Sequence, residues 1–111
     1  MTWIDLQDET QLTQIKEQSK TRPQVIFKHS TRCSISQMAK NRLEKATQST
    51  GIDFHYFDLL NNRPLSNKIA EDFNVYHESP QVLIIKDAIC IYDESHNGIT
   101  IDEIIEQASS N

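Results

Sequence analysis

The sequence has few of the residues that cross-link or interrupt a chain. Its 111 residues include 2 cysteines, 2 glycines and 3 prolines. Two cysteines cannot form the disulfide framework of a small secreted domain, and the polar start MTWIDLQDETQ does not resemble an export signal. These absences favour a protein of the reducing cytoplasm.

The chain also lacks the features that indicate several common partners. No apolar run approaches the roughly 20 residues of a membrane span, so we expect no membrane association. The formal net charge of −5 disfavours nucleic-acid binding, which needs a basic surface to displace counterions. No histidines and cysteines are spaced like zinc ligands, so we predict neither a metal site nor a bound cofactor.

The composition that remains is that of a globular protein. Hydrophobic residues make up 37% of the chain and charged residues 24%. A chain of this length can form one core but not two, so we expect a single domain over residues 1–111, most simply a monomer.

Helical and extended patterns alternate along the chain. Helices are predicted after a capping box at residues 8–11, along a stripe of apolar residues closed by Gly51, from Pro64 to a left-handed stop at Asn74, and after a capping box at residues 100–103. The members of the stripe are Ile35, Met38, Ala39, Leu43 and Ala46. Strands are predicted at residues 3–4, 24–29, 52–59, 81–86 and 89–92.

This order of elements predicts an α/β fold. Two βα crossovers followed by a hairpin give a mixed sheet of four to five strands, parallel first and antiparallel last. Helices cover both faces of such a sheet. The arrangement is thioredoxin-like.

The stretch HSTRCSISQMAK, residues 29–40, places Cys33 between a strand and a helix. The thiolate is the reactive form of cysteine, and the unpaired N–H groups of a first helical turn favour an anion. We expect the amides of Ile35 and Ser36 to stabilise the thiolate, together with the Ser36 hydroxyl. The positive charge of Arg32 adds to this effect. Cys33 is therefore the candidate nucleophile, with an exposed sulfur.

Two competing interpretations concern the cysteines. One interpretation makes Cys33 only a buried residue at a helix start, but cysteine is a poor cap and its neighbours are polar. Cys90 alternates with isoleucines on the last hairpin strand and pairs near Ile85, about 16 Å from the site end of the sheet. Since a disulfide needs Cα atoms within about 7 Å, we interpret Cys90 as a core residue rather than a resolving thiol.

Ser79 and Pro80 form the second candidate element. A proline that opens a buried strand after a loop is a candidate for the cis isomer, although X–Pro frequencies alone favour trans. In a cis bond the Ser79 backbone faces the surface and can pair with an extended substrate. Lys28 and His29 end the preceding strand; we expect His29 near the site and the lysine in solvent.

These pieces together resemble a known family. The segments IFKHSTRCSISQMA, FHYFDLLNNRPLSNKIAEDF, VYHESPQVLII and NGITIDEI are similar to the YtxJ-type monothiol bacilliredoxins of low-GC Gram-positive bacteria, in the thioredoxin-like superfamily. They cover nearly the whole chain. Many family members have a proline or other residues in the middle of the Cys motif, where this chain has Ser34 and Ile35.

The resemblance implies a role in redox homeostasis. Such proteins are thought to remove bacillithiol, a small thiol, from mixed disulfides on other proteins, so bacillithiol is the co-substrate and bacillithiolated proteins are the partners. By position, Cys33 resembles the attacking thiol and Pro80 the cis proline. Because bacillithiol carries a malyl carboxylate pair, Arg32 is a substrate-binding candidate beside Ser79 and Pro80.

Two alternatives from other functional classes remain open. One is an iron–sulfur cluster carrier of the monothiol glutaredoxin type, which favours glycine after the cysteine, where this chain has Ser34. The other is a non-catalytic thioredoxin-fold adaptor, whose groove binds partners without exchange. The residues alone do not choose between bacillithiol and glutathione.

Overall fold

The computed structural model describes residues 2–45 and 51–109. In chain order its elements are β1 (Trp3–Asp5), α1 (Glu9–Gln18), β2 (Gln24–His29), α2 (Ser34–Glu44), β3 (Asp53–Asp58), α3 (Arg63–Phe73), β4 (Gln81–Lys86), β5 (Ile89–Ser95) and α4 (Ile101–Ser109). A short 3₁₀ turn, His96–Gly98, links β5 to α4. No helix within these residues is long and apolar enough to cross a membrane.

The strands form one mixed sheet in the order β1-β3-β2-β4-β5. β1, β3 and β2 run parallel, β4 runs antiparallel to β2, and β5 runs antiparallel to β4. The predicted fold is confirmed: parallel strands come first along the chain and an antiparallel hairpin comes last, with helices on both faces.

Side-chain alternation along the central strand β2 divides the core into two layers. Ile26 packs with residues of α1 and α3, such as Leu12 and Leu65. Val25 and Phe27 pack on the opposite face, with residues of α2 and α4. Every residue of β2 is buried, because the strand has neighbours on both sides and helices on both faces.

Local signals set most element ends. Asp8 accepts a hydrogen bond from the Gln11 amide at 2.9 Å, as the capping box predicts. α3 ends at Asn74, whose φ of 55° lies in the left-handed region. The β4–β5 turn at Asp87 and Ala88 has φ values of 53° and 64°, as a tight hairpin requires.

The predicted apolar stripe of α2 is partly wrong. Ile35 and Met38 are 43% and 58% exposed, whereas Ser36, Ala39 and Leu43 are the buried residues. The helix also ends at Glu44 and not at Gly51, although Gly51 has a positive φ of 70°. Ala46 lies outside the described residues. The buried face of α2 is the one that packs against the sheet, with Ala39 and Leu43 beside residues of β2. This face includes Ser36, which a search for apolar residues at helical spacing leaves out.

Candidate functional site

Cys33 is the N-cap residue of α2, with an extended backbone at φ −109° and ψ 121°. Its amide donates to the Ser30 carbonyl at 3.1 Å, and its carbonyl accepts from the Gln37 amide at 3.0 Å. The first bond closes the loop after β2 and the second begins the helix. The side chain is half-buried and carries a free thiol, so it is not sealed in the core.

The groups expected to stabilise the Cys33 thiolate are its neighbours in sequence, but they make no hydrogen bond to its sulfur in this structure. The sulfur accepts no capping hydrogen bond from the first turn, so the role of the Ile35 and Ser36 amides stays a prediction for the ionised form. Arg32 is exposed and makes no ion pair within residues 2–45 and 51–109.

The Ser36 hydroxyl bonds to other partners than the expected one. Ser36 is fully buried, and its Oγ lies 2.6 Å from His29 Nδ1 and accepts from the Ser30 amide at 3.0 Å. Burial lowers the pKa of His29 below its ordinary value, as does the nearby charge of Lys40. The hydroxyl therefore ties the end of β2 and the loop to the first turn of α2. It holds the segment that carries Cys33 and is not aimed at the sulfur.

Lys28 is fully buried, so the expectation that this strand-end lysine faces solvent is wrong. Its Nζ lies 2.8 Å from His77 Nδ1 and 3.5 Å from the Ser66 carbonyl. Burial lowers the pKa of Lys28 to about 8. The signal in the sequence was its place inside the run QVIFKH, since a central strand is covered on both faces up to its end.

The Ser79–Pro80 peptide bond is cis, the isomer for which the sequence made it a candidate. Gln81 pairs with Lys28 across the β2–β4 ladder, so Pro80 lies at the same end of the sheet as the loop that carries Cys33. Ser79 Oγ is buried and has no hydrogen-bond partner in the part of the chain that is described. Contact between Ser79 and a substrate stays a prediction.

Cys90 lies apart from this site. It pairs with Ile85 in the β4–β5 ladder and packs against the α1–α3 layer of the core. Its Sγ donates to the Tyr92 carbonyl at 3.3 Å, and burial raises the pKa of the thiol to about 11. Position and protonation both agree with the core interpretation.

The remaining histidines do not join the site. His55 is buried in β3, with Nε2 2.7 Å from Gln24 Oε1. His96 lies in the 3₁₀ turn, with Nε2 3.6 Å from a carboxylate oxygen of Glu78. Among the described residues no group of three or more histidine, cysteine and acidic side chains is placed to hold a metal ion.

Comparisons with known proteins agree with this arrangement. The family described as monothiol bacilliredoxin BrxC matches residues 4–104. A solved structure described as an oxidoreductase with a thioredoxin fold has a TM-score of 0.83 and 29% identity, covering 94% of this chain and 91% of that chain.

Two thioredoxins are similar in fold at lower identity. That of Malassezia sympodialis has a TM-score of 0.79 at 15% identity, covering 98% of this chain and 92% of that chain. That of Fasciola hepatica has a TM-score of 0.74 at 20% identity, covering 95% and 98%.

Proposed function

Because this chain belongs to the monothiol bacilliredoxin family, we propose that it removes bacillithiol from mixed disulfides on other proteins, with Cys33 as the reacting thiol. The observation that carries the proposal is a free, half-buried thiol at the N-cap of α2. Its loop lies at the sheet end where the cis Ser79–Pro80 bond opens β4.

In the first step, the Cys33 thiolate attacks the bacillithiol sulfur of the mixed disulfide. A bond forms between these two sulfurs, and the bond from bacillithiol to the target cysteine breaks. The electron pair leaves with the target sulfur, which takes a proton from water and is released as a reduced thiol. Cys33 now holds the bacillithiol as a mixed disulfide.

In the second step, the thiolate of a free bacillithiol attacks the bacillithiol sulfur bound to Cys33. The products are bacillithiol disulfide and the Cys33 thiolate, so electrons and atoms balance without another protein thiol. In the net exchange the sulfur of the free bacillithiol is oxidised from thiol to disulfide and the target sulfur is reduced from disulfide to thiol, while the sulfur of the original adduct stays at the disulfide level.

The structure supports a cycle that uses one protein thiol. Position 36, where a dithiol motif would have its second cysteine, holds a serine, and a hydroxyl cannot resolve a disulfide. Cys90 pairs with Ile85, which lies five positions after Pro80 in the chain, and its thiol is mostly protonated near neutrality. A small external thiol is then the resolving group.

The test compares two variants on a purified protein that carries bacillithiol on one cysteine. Cys33→Ser should abolish release of the small thiol, while Cys90→Ser, the matched control, should keep most of the activity. Mass spectrometry of the reaction stopped before resolution should find the adduct on Cys33 alone. Activity that survives Cys33→Ser would refute the assignment.

A parallel experiment identifies the small thiol and tests the adaptor alternative. The protein with oxidised Cys33 is mixed with bacillithiol or with glutathione, and each adduct is weighed. If the chain is a bacilliredoxin, the mixed disulfide on Cys33 should be released faster by bacillithiol than by glutathione. A chain that binds modified proteins but gives no turnover with either thiol is an adaptor.

A further inference from the structure

Lys28, which is buried, and His77, which is exposed, form a half-buried contact that the exchange steps above do not use. Lys28 leaves β2 on the α3 side of the sheet, and its Nζ lies 2.8 Å from His77 Nδ1. Ser66 of α3 closes the cluster, with its carbonyl 3.5 Å from Nζ and its Oγ 3.2 Å from the same ring nitrogen. Within the described residues, no carboxylate forms an ion pair with the Lys28 ammonium.

The chemistry of this contact determines the state of the imidazole. An ammonium only donates, so His77 Nδ1 must accept, and the ring must be neutral with its proton on Nε2. The His77 residue is exposed, so the Nε2–H edge is the one left to the surface. The pKa of His77 is lowered by burial and by the Lys28 charge, in agreement with a neutral ring.

The segment that His77 belongs to leads directly into the candidate site. Residues 74–80 connect α3 to β4 and end in the cis Ser79–Pro80 bond. Gln81 holds this segment from β4, since its Nε2 donates to the Tyr76 carbonyl at 2.9 Å and its Oε1 accepts from the Glu78 amide at 3.4 Å. Lys28 is the register partner of Gln81, so two paired residues anchor the segment from neighbouring strands.

We propose that Lys28 is a positioning residue, which acts through His77 to hold residues 76–79 in place for the substrate. We call this contact the Lys28–His77 latch. This role rests on the exchange reaction proposed above, because the latched segment presents Ser79 and Pro80 to the mixed disulfide. The ammonium itself does not touch the reacting sulfurs.

The latch has a defined pH dependence. Protonation of His77 would place two cations 2.8 Å apart, one of them the buried Lys28 ammonium, so the contact opens in acid. The other charges that act on the ring are Arg63 of α3, which opposes its protonation, and Glu78, which favours it. Glu78 in turn lies 3.6 Å from His96 of the 3₁₀ turn.

Kinetic measurements test the role of the latch in substrate positioning. Lys28→Met keeps the length and apolar stem of the side chain but removes the donor, and His77→Leu removes the acceptor. We expect each to raise KM for a bacillithiolated protein about tenfold. The rate at which iodoacetamide alkylates Cys33 should stay within twofold of the wild type, since that small reagent does not need the latched segment.

Two further variants separate positioning from a general loss of structure. His77→Asn offers an amide oxygen where Nδ1 stood and should restore KM to within threefold. Lys20→Met, which removes an exposed lysine, should leave KM unchanged. In the wild type KM should rise as the pH falls through the titration of His77, whereas in His77→Asn that rise should disappear.

Nuclear magnetic resonance of the histidine rings tests the latch without any activity assay. The His77 ring of the wild type should be the Nε2–H tautomer at pH 7, and its titration midpoint should rise in Lys28→Met. A wild type with its proton on Nδ1, or unchanged KM in both Lys28→Met and His77→Leu, would overturn the latch alone. Absence of turnover in the wild type would instead refute the exchange reaction.

Discussion

Ser36→Ala tests whether the hydroxyl at position 36 is a structural anchor. The change deletes the oxygen that lies 2.6 Å from His29 Nδ1 and accepts from the Ser30 amide. His29 is 1% exposed, so water cannot replace the lost bond to its ring. The half-buried Ser30 amide regains part of its hydrogen bonding from solvent.

The expected loss of stability follows from these two partners. A buried polar group left without its bond costs about 1–3 kcal/mol, and a half-exposed one costs less, so we expect Ser36→Ala to destabilise by about 2–3 kcal/mol. A chain of 111 residues unfolds with an entropy of roughly 0.23 kcal/mol/K. The melting temperature should therefore fall by roughly 9–13 °C.

Urea denaturation followed by circular dichroism measures this loss. Ser34→Ala is the matched control, because Ser34 begins the same helix but is exposed, and we expect a change below about 0.5 kcal/mol. His29→Leu combined with Ser36→Ala should cost less than the two single changes together, since the double variant leaves no unpaired ring nitrogen. Strict additivity, or a Ser36→Ala variant as stable as the control, would show that the contact does not anchor the loop.

Three other outcomes follow from the same structure. At pH 8 iodoacetamide should label Cys33 and spare Cys90, because burial raises the Cys90 pKa to about 11; equal labelling in a peptide map would contradict this. Ser36→Cys should form a disulfide between Cys33 and the introduced thiol on mild oxidation, and its absence by mass spectrometry would count against the helix-start geometry. Burial lowers the pKa of His55, so its contribution to stability is present above about pH 6.5 and is lost as the pH falls through the folded value. The urea midpoint should accordingly drop in acid, and less steeply in His55→Gln; parallel curves would exclude this residue as the cause.

Local patterns in the sequence were sufficient for most of the architecture. The run QVIFKH became β2 with both predicted ends, and Asp8 and Asn74 cap and end their helices as predicted. These features depend on residues a few positions apart, whose backbone preferences act wherever the segment lies. The place of Cys33 at the start of α2 follows from the same signals.

Other features depended on contacts between distant segments. Apolar periodicity identified α2 as a helix but wrongly assigned Ile35 and Met38 to its buried face. Only packing against the sheet determines which face of the helix is covered. The same limit applies to Ser36, whose partner His29 comes from another element.

The sequence by itself determined the order of elements, the mixed sheet and the identity of the candidate nucleophile. Tertiary structure decided which distant polar side chains meet at the Cys33 end of the sheet: Lys28 reaches His77 across 49 positions of the chain, and their meeting depends on how β2, α3 and the loop before β4 pack. Burial leaves the Lys28 ammonium with a ring nitrogen and a carbonyl as its acceptors among residues 2–45 and 51–109. No local sequence pattern encodes the pairing of Lys28 with His77, because the low dielectric environment that favours it exists only after the chain has folded.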